Sequence, residues 1–449
     1  MITKPKGTID IYGKNAKKWK YVEEVVDSVM EKYNYTYIRT PLFESTELFH
    51  RGVGETSDIV TKETYDFKDR GDRNLTLRPE GTAGVVRSFI ENKMYGDTMP
   101  VKVYYNGTMY RYERPQSGRD RELTQFGMEL IGSNDPISDA EVISLAVNIY
   151  KMLGLKDIVV EINSLGDKES RDNYRKALID YFKPHIDELC DDCKARLEKN
   201  PLRILDCKKD ADSDILKNAP KISDYLNEES KKRFDEVKDL LDILEVKYEV
   251  EESLVRGLDY YSHTVFEIKA GTSNLSIGGG GRYNDLVEEL GGPSTPAIGF
   301  ACGIGRLLLA LDEEKVELPI KDDIDAFIMY VNDDEKKYAT YLSNELRMSG
   351  FKVDTEYTGR SLKSQFKQAD RLNSKFLIIL NSEDLNNGEV NVKNNTTKKE
   401  EKVLLEYLIY YLDEHLVDSE TDDEFDIEAF AKEQEEKKKK EEKEGKDEK

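Results

Sequence analysis

Arginines crowd one short stretch of the chain: Arg111, Arg114, Arg119 and Arg121 lie on and beside a Gly/Arg-rich turn at residues 115–121. A guanidinium is always charged and donates bidentate hydrogen bonds, so such a tip suits a triphosphate or an RNA backbone. Glu113 and Glu129 flank it, and carboxylates beside guanidiniums recur where a metal-bound nucleotide meets a cationic substrate. A second cluster, LVRGLDYY at 254–261, places Arg256 next to Gly257, and SIGGGGRYNDL follows at 276–286. Four successive glycines let a backbone approach a ligand closely, or form a bulge or tight turn. The third, AIGFACGIGRLLLAL at 297–311, opens a helix near Arg306. Neither G-x-G-x-x-G after a strand nor G-x-x-x-x-G-K-[ST] occurs, so phosphate binding would rest on side chains.

Elements that position these residues can be read from periodicity. Trp19, Val22, Val26 and Val29 recur at helical spacing after Gly13. Residues 35–42 are rich in β-formers, with Pro41 restricting them to an edge or end of a sheet. The arginine tip joins two β-runs, 104–113 and 123–131, in a long hairpin; further strands are expected at 157–162 and 264–269. Residues 171–247 are charged, helical and broken by Pro184, Pro201 and Pro220, which reads as an insertion of about 170–250. After a charged link at 312–323, strands are expected at 324–331, 351–354, 375–380 and 389–393. Helices are expected at 335–348, 362–372 and 402–416. This is the pattern of a separate α/β domain, 324–416, behind a core of 1–320.

The 449 residues are 38% hydrophobic with a net charge of −23, so no general basic coat or polybasic anchor organises the molecule. Nucleic acid must be held by local patches. No run of ~18 apolar residues and no apolar signal core at the N-terminus are present, and four cysteines do not make a disulfide framework. A cytoplasmic, reducing location without membrane contact is expected. Residues 418–449 hold 15 acidic and 8 basic residues and almost no apolar content, which predicts a disordered, solubilising tail.

The motifs together resemble the bacterial-type histidyl-tRNA synthetases, over residues 4–415. TPLFE near Pro41 resembles the first class II motif, which lies at the dimer interface in that family. YRYERPQSGRDRELTQFGMELIG at 110–132 resembles the second, and GFACGIGRLLLAL the third. LRPEGT at 77–82, LVRGLDYY and GGGRY resemble the histidine-specific signatures and discriminate most strongly. The implied fold is α+β: an antiparallel class II sheet with flanking helices and a helical insertion, plus a C-terminal anticodon-binding α/β domain.

The implied reaction activates L-histidine with ATP and Mg²⁺, then transfers it to the 3′ end of tRNA(His), in a homodimer. By this resemblance Arg111 holds the α-phosphate and carboxylate, Arg256 the transition-state charge, and Glu113, Arg119 and Arg306 the rest of ATP. Neutral imidazole needs one acceptor and one donor, which Glu129 and Tyr261 supply. Glu80, Gly81, Thr82 and Gln125 surround the α-ammonium, with Tyr260 and Tyr283 as pocket walls. Arg114 and Gln116 face the acceptor end, and Lys363, Lys367 and Arg371 form a candidate RNA surface on one helix. Two departures bear on ATP: Leu123 stands where many relatives carry a Phe on adenine, and Gly305 where an acidic residue usually orients the arginine.

A synthetase-like regulatory subunit for ATP phosphoribosyltransferase is the competing reading. Such paralogues usually lack the C-terminal domain and parts of the ATP site, and this chain has both. Cys190, Cys193 and Cys207 contain half of a zinc motif whose fourth ligand would have to be His185 or Asp206; reduced structural thiols and no metal are expected. Cys302 reads as a core residue and His263 as scaffold.

Overall fold

The computed structural model describes residues 1–53, 59–115, 118–207, 209–271, 273 and 275–417. Two compact units result, Met1–Ile320 and a second that begins at Lys321.

The first unit is built on eight strands: β1 (Thr36–Tyr37), β2 (Val101–Tyr110), β3 (Glu122–Ile131), β4 (Ile158–Ser164), β5 (Tyr248–Val250), β6 (Ser262–Ala270), β7 (Leu275–Arg282) and β8 (Ala297–Gly303). Their order is β1-β2-β3-β8-β7-β6-β4-β5, antiparallel except for the outermost pair at each edge. The expected hairpin is β2 and β3, in register from Val101↔Ile131 to Tyr110↔Glu122. Of the expected strand 35–42 only Thr36–Tyr37 joins this sheet, at its edge. Pro41 has no amide to extend the ladder. The glycine run lies inside β7, with register shifts at both of its ends. A Cβ at Gly280 would come within 1.9 Å of the Gly299 carbonyl oxygen, so the glycines allow neighbouring chain to close in.

Helix α1 (Gly13–Lys32) buries Val22, Val26 and Val29, the predicted stripe, against one face of this sheet. Each such side chain contributes roughly 1.5–3 kcal/mol. Helix α2 (Thr82–Glu91) follows the LRPEG turn. Helix α3 (Pro136–Met152) starts from Asp135, whose side chain accepts the Ile137 amide, with Pro136 where no amide is needed. Its face packs Ile143, Val147 and Tyr150 with Phe266 and Phe300 of the sheet.

The insertion is helical: α4 (Lys168–Phe182), α5 (Asp191–Lys199) and α6 (Glu228–Ile243). Tyr174, Leu178, Phe182, Cys193 and Ile204 form a small core of its own. After β8, the helix expected beyond the glycines is α7 (Ile304–Glu313).

In the second unit β9 (Ile324–Met329), β10 (Val353–Thr355), β11 (Ser374–Ile379), β12 (Glu389–Asn394) and β13 (Glu400–Leu404) lie in the order β10-β9-β11-β12-β13. Helix α8 (Asp333–Met348) opens on a capping box between Asn332 and Glu335. Helix α9 (Leu362–Arg371) buries Gln365 and Ala369 and exposes Lys363, Lys367 and Arg371. One expectation fails here: residues 400–404 are a strand paired with β12, and helix α10 (Leu408–Val417) starts later. Val403 is buried while its neighbours are not, a strand alternation that a helical reading of 402–416 overlooks.

Candidate active site

One cavity of about 950 Å³ opens in the first unit, of the size that holds a small-molecule substrate pair. Two of the four tip arginines, Arg111 and Arg119, line it. Arg111 follows β2, and its Nε donates to the Pro79 carbonyl at 2.8 Å, which ties the hairpin to the turn before α2. Arg119 stands 3.7 Å from Glu113. Arg114 is exposed and off the cavity. Arg121 stacks over the Tyr112 ring at 3.8 Å. Gln116 and residues 418–449 lie outside the described residues.

Two more guanidiniums reach the same space. Arg256 pairs with Glu267 of β6 at 2.7 Å, and Arg306, in the first turn of α7, donates to the Ser276 carbonyl at 2.6 Å. Gly279 leaves room for Arg256, since a Cβ there would sit 2.8 Å from its guanidinium. Burial lowers the Arg306 pKa, and the positive charge of Arg119 lowers it further. The Nε atoms of Arg256 and Arg306, and Oε1 of Gln125, are buried without a hydrogen-bond partner. Cations held this close, with donors unused, favour a bound polyanion.

The other end of the cavity is polar but not cationic. Glu80 accepts the amides of Thr82 at 2.8 Å and Ala83 at 2.7 Å, so it caps α2. Thr82 Oγ1 donates to Glu129 Oε1 at 2.7 Å, and the Tyr283 hydroxyl donates to Glu129 Oε2 at 2.5 Å. Glu129 is fully buried on β3, opposite Gly299 of β8. Any Cβ at 299 would overlap its carboxylate, 1.7 Å away. Burial pushes the Glu129 carboxyl up to about 8, against the hydroxyls of Tyr283 and Thr82, which lower it. Tyr261 packs on Tyr260 with ring centroids 4.7 Å apart and meets the Arg256 guanidinium.

The cavity thus brings together Glu80, Gly81, Thr82, Gln125, Tyr260 and Tyr261 with Arg111, Glu113, Arg119, Arg256 and Arg306. Glu129 lies directly behind Thr82 and Tyr283. Sequence reasoning took Tyr283 for a wall, and the structure makes it a hydrogen-bond partner of Glu129. It passed over Glu267, whose place in the alternating run TVFEI was the available signal. It also gave the insertion no part, whereas Arg203 and Asp192 line the cavity and Arg203 donates to the Arg256 carbonyl at 3.0 Å. His263 has φ 46°, exchanges backbone hydrogen bonds with Leu165 and Gly166, and has its pKa lowered to about 4 by burial and three arginines. It is a neutral scaffold residue outside the cavity wall.

Residues 7–307 match the family model of histidyl-tRNA synthetase, and 325–415 that of an anticodon binding domain. A histidine–tRNA ligase of Bacillus cytotoxicus is 53% identical over 418 residues, covering 92% of this chain and 99% of the relative. One from Staphylococcus haemolyticus is 51% identical over 420 residues, 92% and 99% of the two chains. The crystal structure of apo S. aureus histidyl-tRNA synthetase superposes with a TM-score of 0.79 at 46% identity, covering 92% of this chain and all of that one. An ATP phosphoribosyltransferase regulatory subunit/histidyl-tRNA synthetase from Bacillus halodurans shares the fold, with a TM-score of 0.60 at 21% identity. The chain belongs to the histidyl-tRNA synthetase family.

Proposed function

We infer that the chain is an ATP-dependent histidine–tRNA ligase and that its cavity carries out both half-reactions. In the first, a carboxylate oxygen of L-histidine attacks the α-phosphorus of ATP, forming histidyl-adenylate and expelling pyrophosphate. In the second, a hydroxyl of the terminal tRNA ribose attacks the histidyl carbonyl and AMP leaves. Displacements of this kind depend on positioning and charge stabilisation rather than on a nucleophilic side chain.

Arg111, fixed through Pro79, orients the carboxylate and α-phosphate. Arg256 has a free Nε and stabilises the charge that builds at the α-phosphate. Arg119 and Arg306 take the outer phosphates and the nucleotide. Mg²⁺ suits the hard oxygen of Glu113, whose 3.7 Å pairing with Arg119 is loose, and it supplies charge neutralisation when bound. Glu80, Thr82 and Gln125 surround the α-ammonium. Glu129, held by Tyr283 and Thr82, takes one ring nitrogen and the Tyr261 hydroxyl the other.

A single observation carries this reading: Arg111, Arg119, Arg256 and Arg306 line one cavity whose wall residues Thr82 and Tyr283 hold a buried carboxyl group directly behind them. The second unit takes the anticodon arm with the exposed face Lys363, Lys367 and Arg371, and Arg114 and Gln116 face the acceptor end of tRNA(His). Exposed Tyr37, Leu42 and Phe43 around the TPLFE segment, with Phe67 against the Phe43 ring, offer apolar surface to the second copy of a homodimer, and a cytoplasmic location goes with this reading. No helix among the described residues is long and apolar enough to cross a membrane.

Charging of tRNA(His) with labelled histidine tests the whole reading. Wild type should form one AMP and one pyrophosphate per histidyl-tRNA. A folded wild type that binds histidine without charging tRNA would favour the regulatory alternative.

A further inference from the structure

Three thiols and a carboxylate of the insertion converge outside the set of groups used for the reaction. Cys190 is the residue before α5, Cys193 lies in its first turn, and Cys207 and Asp210 follow the short turn Pro201–Ile204. One ligand atom from each of the four lies within 4.8 Å of all the others. Cys190 Sγ and Cys207 Sγ are 3.6 Å apart, and Cys207 Sγ is 3.6 Å from Asp210 Oδ2. We propose that Cys190, Cys193, Cys207 and Asp210 bind one structural Zn²⁺ ion.

The geometry fits that ion. Tetrahedral zinc with metal–sulfur bonds of about 2.3 Å and metal–oxygen bonds of about 2.0–2.2 Å holds its ligand atoms about 3.5–3.8 Å from one another. These separations are far too long for a disulfide, and all four cysteines of the chain are free thiols. Sulfur donors exclude Mg²⁺ and Ca²⁺ as the natural occupant, and four protein ligands leave no open position for catalysis.

The ligands are also oriented by their surroundings. The Cys193 amide donates to the Cys190 thiol, and the Cys190 amide donates to Asp210 Oδ2 at 3.1 Å. Cys193 and Cys207 are buried. The fourth ligand is neither of those expected from the sequence: His185 pairs instead with Glu188, and Asp206 lies 3.9 Å from Arg203. In sequence the ligands read C-x-x-C and C-x-x-D, two similar halves separated by the rest of α5 and the turn Pro201–Ile204.

The site has a mechanical consequence. It fastens the start of α5 to the chain after residue 204, and the segment between them holds the loop that carries Arg256. Asn200 Nδ2 donates to Asp259 at 2.9 Å, and Arg203 Nη1 donates to the Arg256 carbonyl at 3.0 Å. The ion, one of whose ligands, Cys207, lies on the cavity wall, therefore acts as a positioning element for Arg256.

Metal content of the full-length protein decides the matter independently of any aminoacylation assay. Chelator-stripped protein, reconstituted with Zn²⁺ and desalted, should retain about one zinc per chain. Co²⁺ titration should saturate at one equivalent with a thiolate-to-metal charge-transfer band and tetrahedral ligand-field bands. Cys207→Ser should lower retained zinc at least tenfold. Asp210→Asn, which keeps all three thiols, should weaken affinity by about 10–100-fold. His185→Ala should keep full zinc. Circular dichroism reports whether each variant folds. In the stripped wild type, the rate of histidine activation should fall and recover on adding Zn²⁺. Retention below a tenth of an equivalent in folded wild type, unchanged zinc in Cys207→Ser, or a Cys190–Cys207 disulfide in the protein as purified would overturn the proposal.

Discussion

The two faces of the large sheet handle buried charge in opposite ways. On the helix-covered face, Arg282 of β7 is completely buried and every donor nitrogen has a partner: Nε and Nη2 on Asp139, Nη1 on the Ser133 carbonyl, Nη2 also on the Asp135 carbonyl and Ser138. On the cavity face, Arg256 is held by Glu267 and Tyr261 and Arg306 by the Ser276 carbonyl, and each keeps a buried Nε without a partner. Both arrangements place a guanidinium in protein, but only the second leaves hydrogen-bonding capacity for something else. The Nε of Arg233 beside Asp139 is also unpartnered, so it is unmet capacity on a cavity wall, as at Arg256 and Arg306, that marks a site.

The largest way to test this contrast lies on the closed face. Asp139→Ala leaves Arg282 buried without its carboxylate and should destabilise the first unit by about 3–5 kcal/mol, read as a lower denaturant midpoint of the full chain. Histidine and ATP affinities of the folded fraction should stay near wild type. On the open face, Arg256→Ala should lower the rate of histidine activation by roughly 10²–10³ while the fold is retained. A rise in KM for ATP with kcat unchanged would make Arg256 a mere binding residue and erase the distinction.

Glu129→Gln is smaller in effect and selective. Losing the buried acid should weaken histidine binding by about 1–3 kcal/mol, seen as a higher KM for histidine with little change for ATP. The smallest effect is on pH dependence. The Glu129 carboxyl titrates near 8 in the fold against an ordinary value of 4.5, so between these the folded chain binds more protons than the unfolded one. Stability from this group is present below about pH 4.5 and is lost as pH rises through about 8. His263, pushed down to about 4, acts with the opposite slope below 6.5, so the Glu129 slope is cleanest from about pH 6.5 to 8. Melting temperature against pH should flatten there in Glu129→Gln.

Local periodicity made much of this legible. The α1 stripe, the β2–β3 hairpin and the first strands and helices of the second unit follow from residue spacing within each element. The motifs carried the cavity residues, because arginines and glycines at a turn have few other uses. What sequence hid were long-range coincidences. Tyr283 becomes a donor because Glu129, 154 positions away, lies in register with Gly299 on the neighbouring strand. Asp210 becomes a ligand candidate because the turn at Pro201–Ile204 folds it back on Cys190, and no spacing rule singles out that aspartate among its acidic neighbours. The 400–404 strand was hidden for a related reason: its identity depends on pairing with β12.

The most direct test is amino-acid-dependent exchange of labelled pyrophosphate into ATP, with wild type and Glu129→Gln compared across histidine and the uncharged aromatic and aliphatic amino acids. Wild type should exchange with L-histidine alone, and the variant should need far more histidine to reach the same rate. Equal exchange with an apolar amino acid, or a variant indistinguishable from wild type toward histidine, would contradict a pocket that selects the imidazole through Glu129.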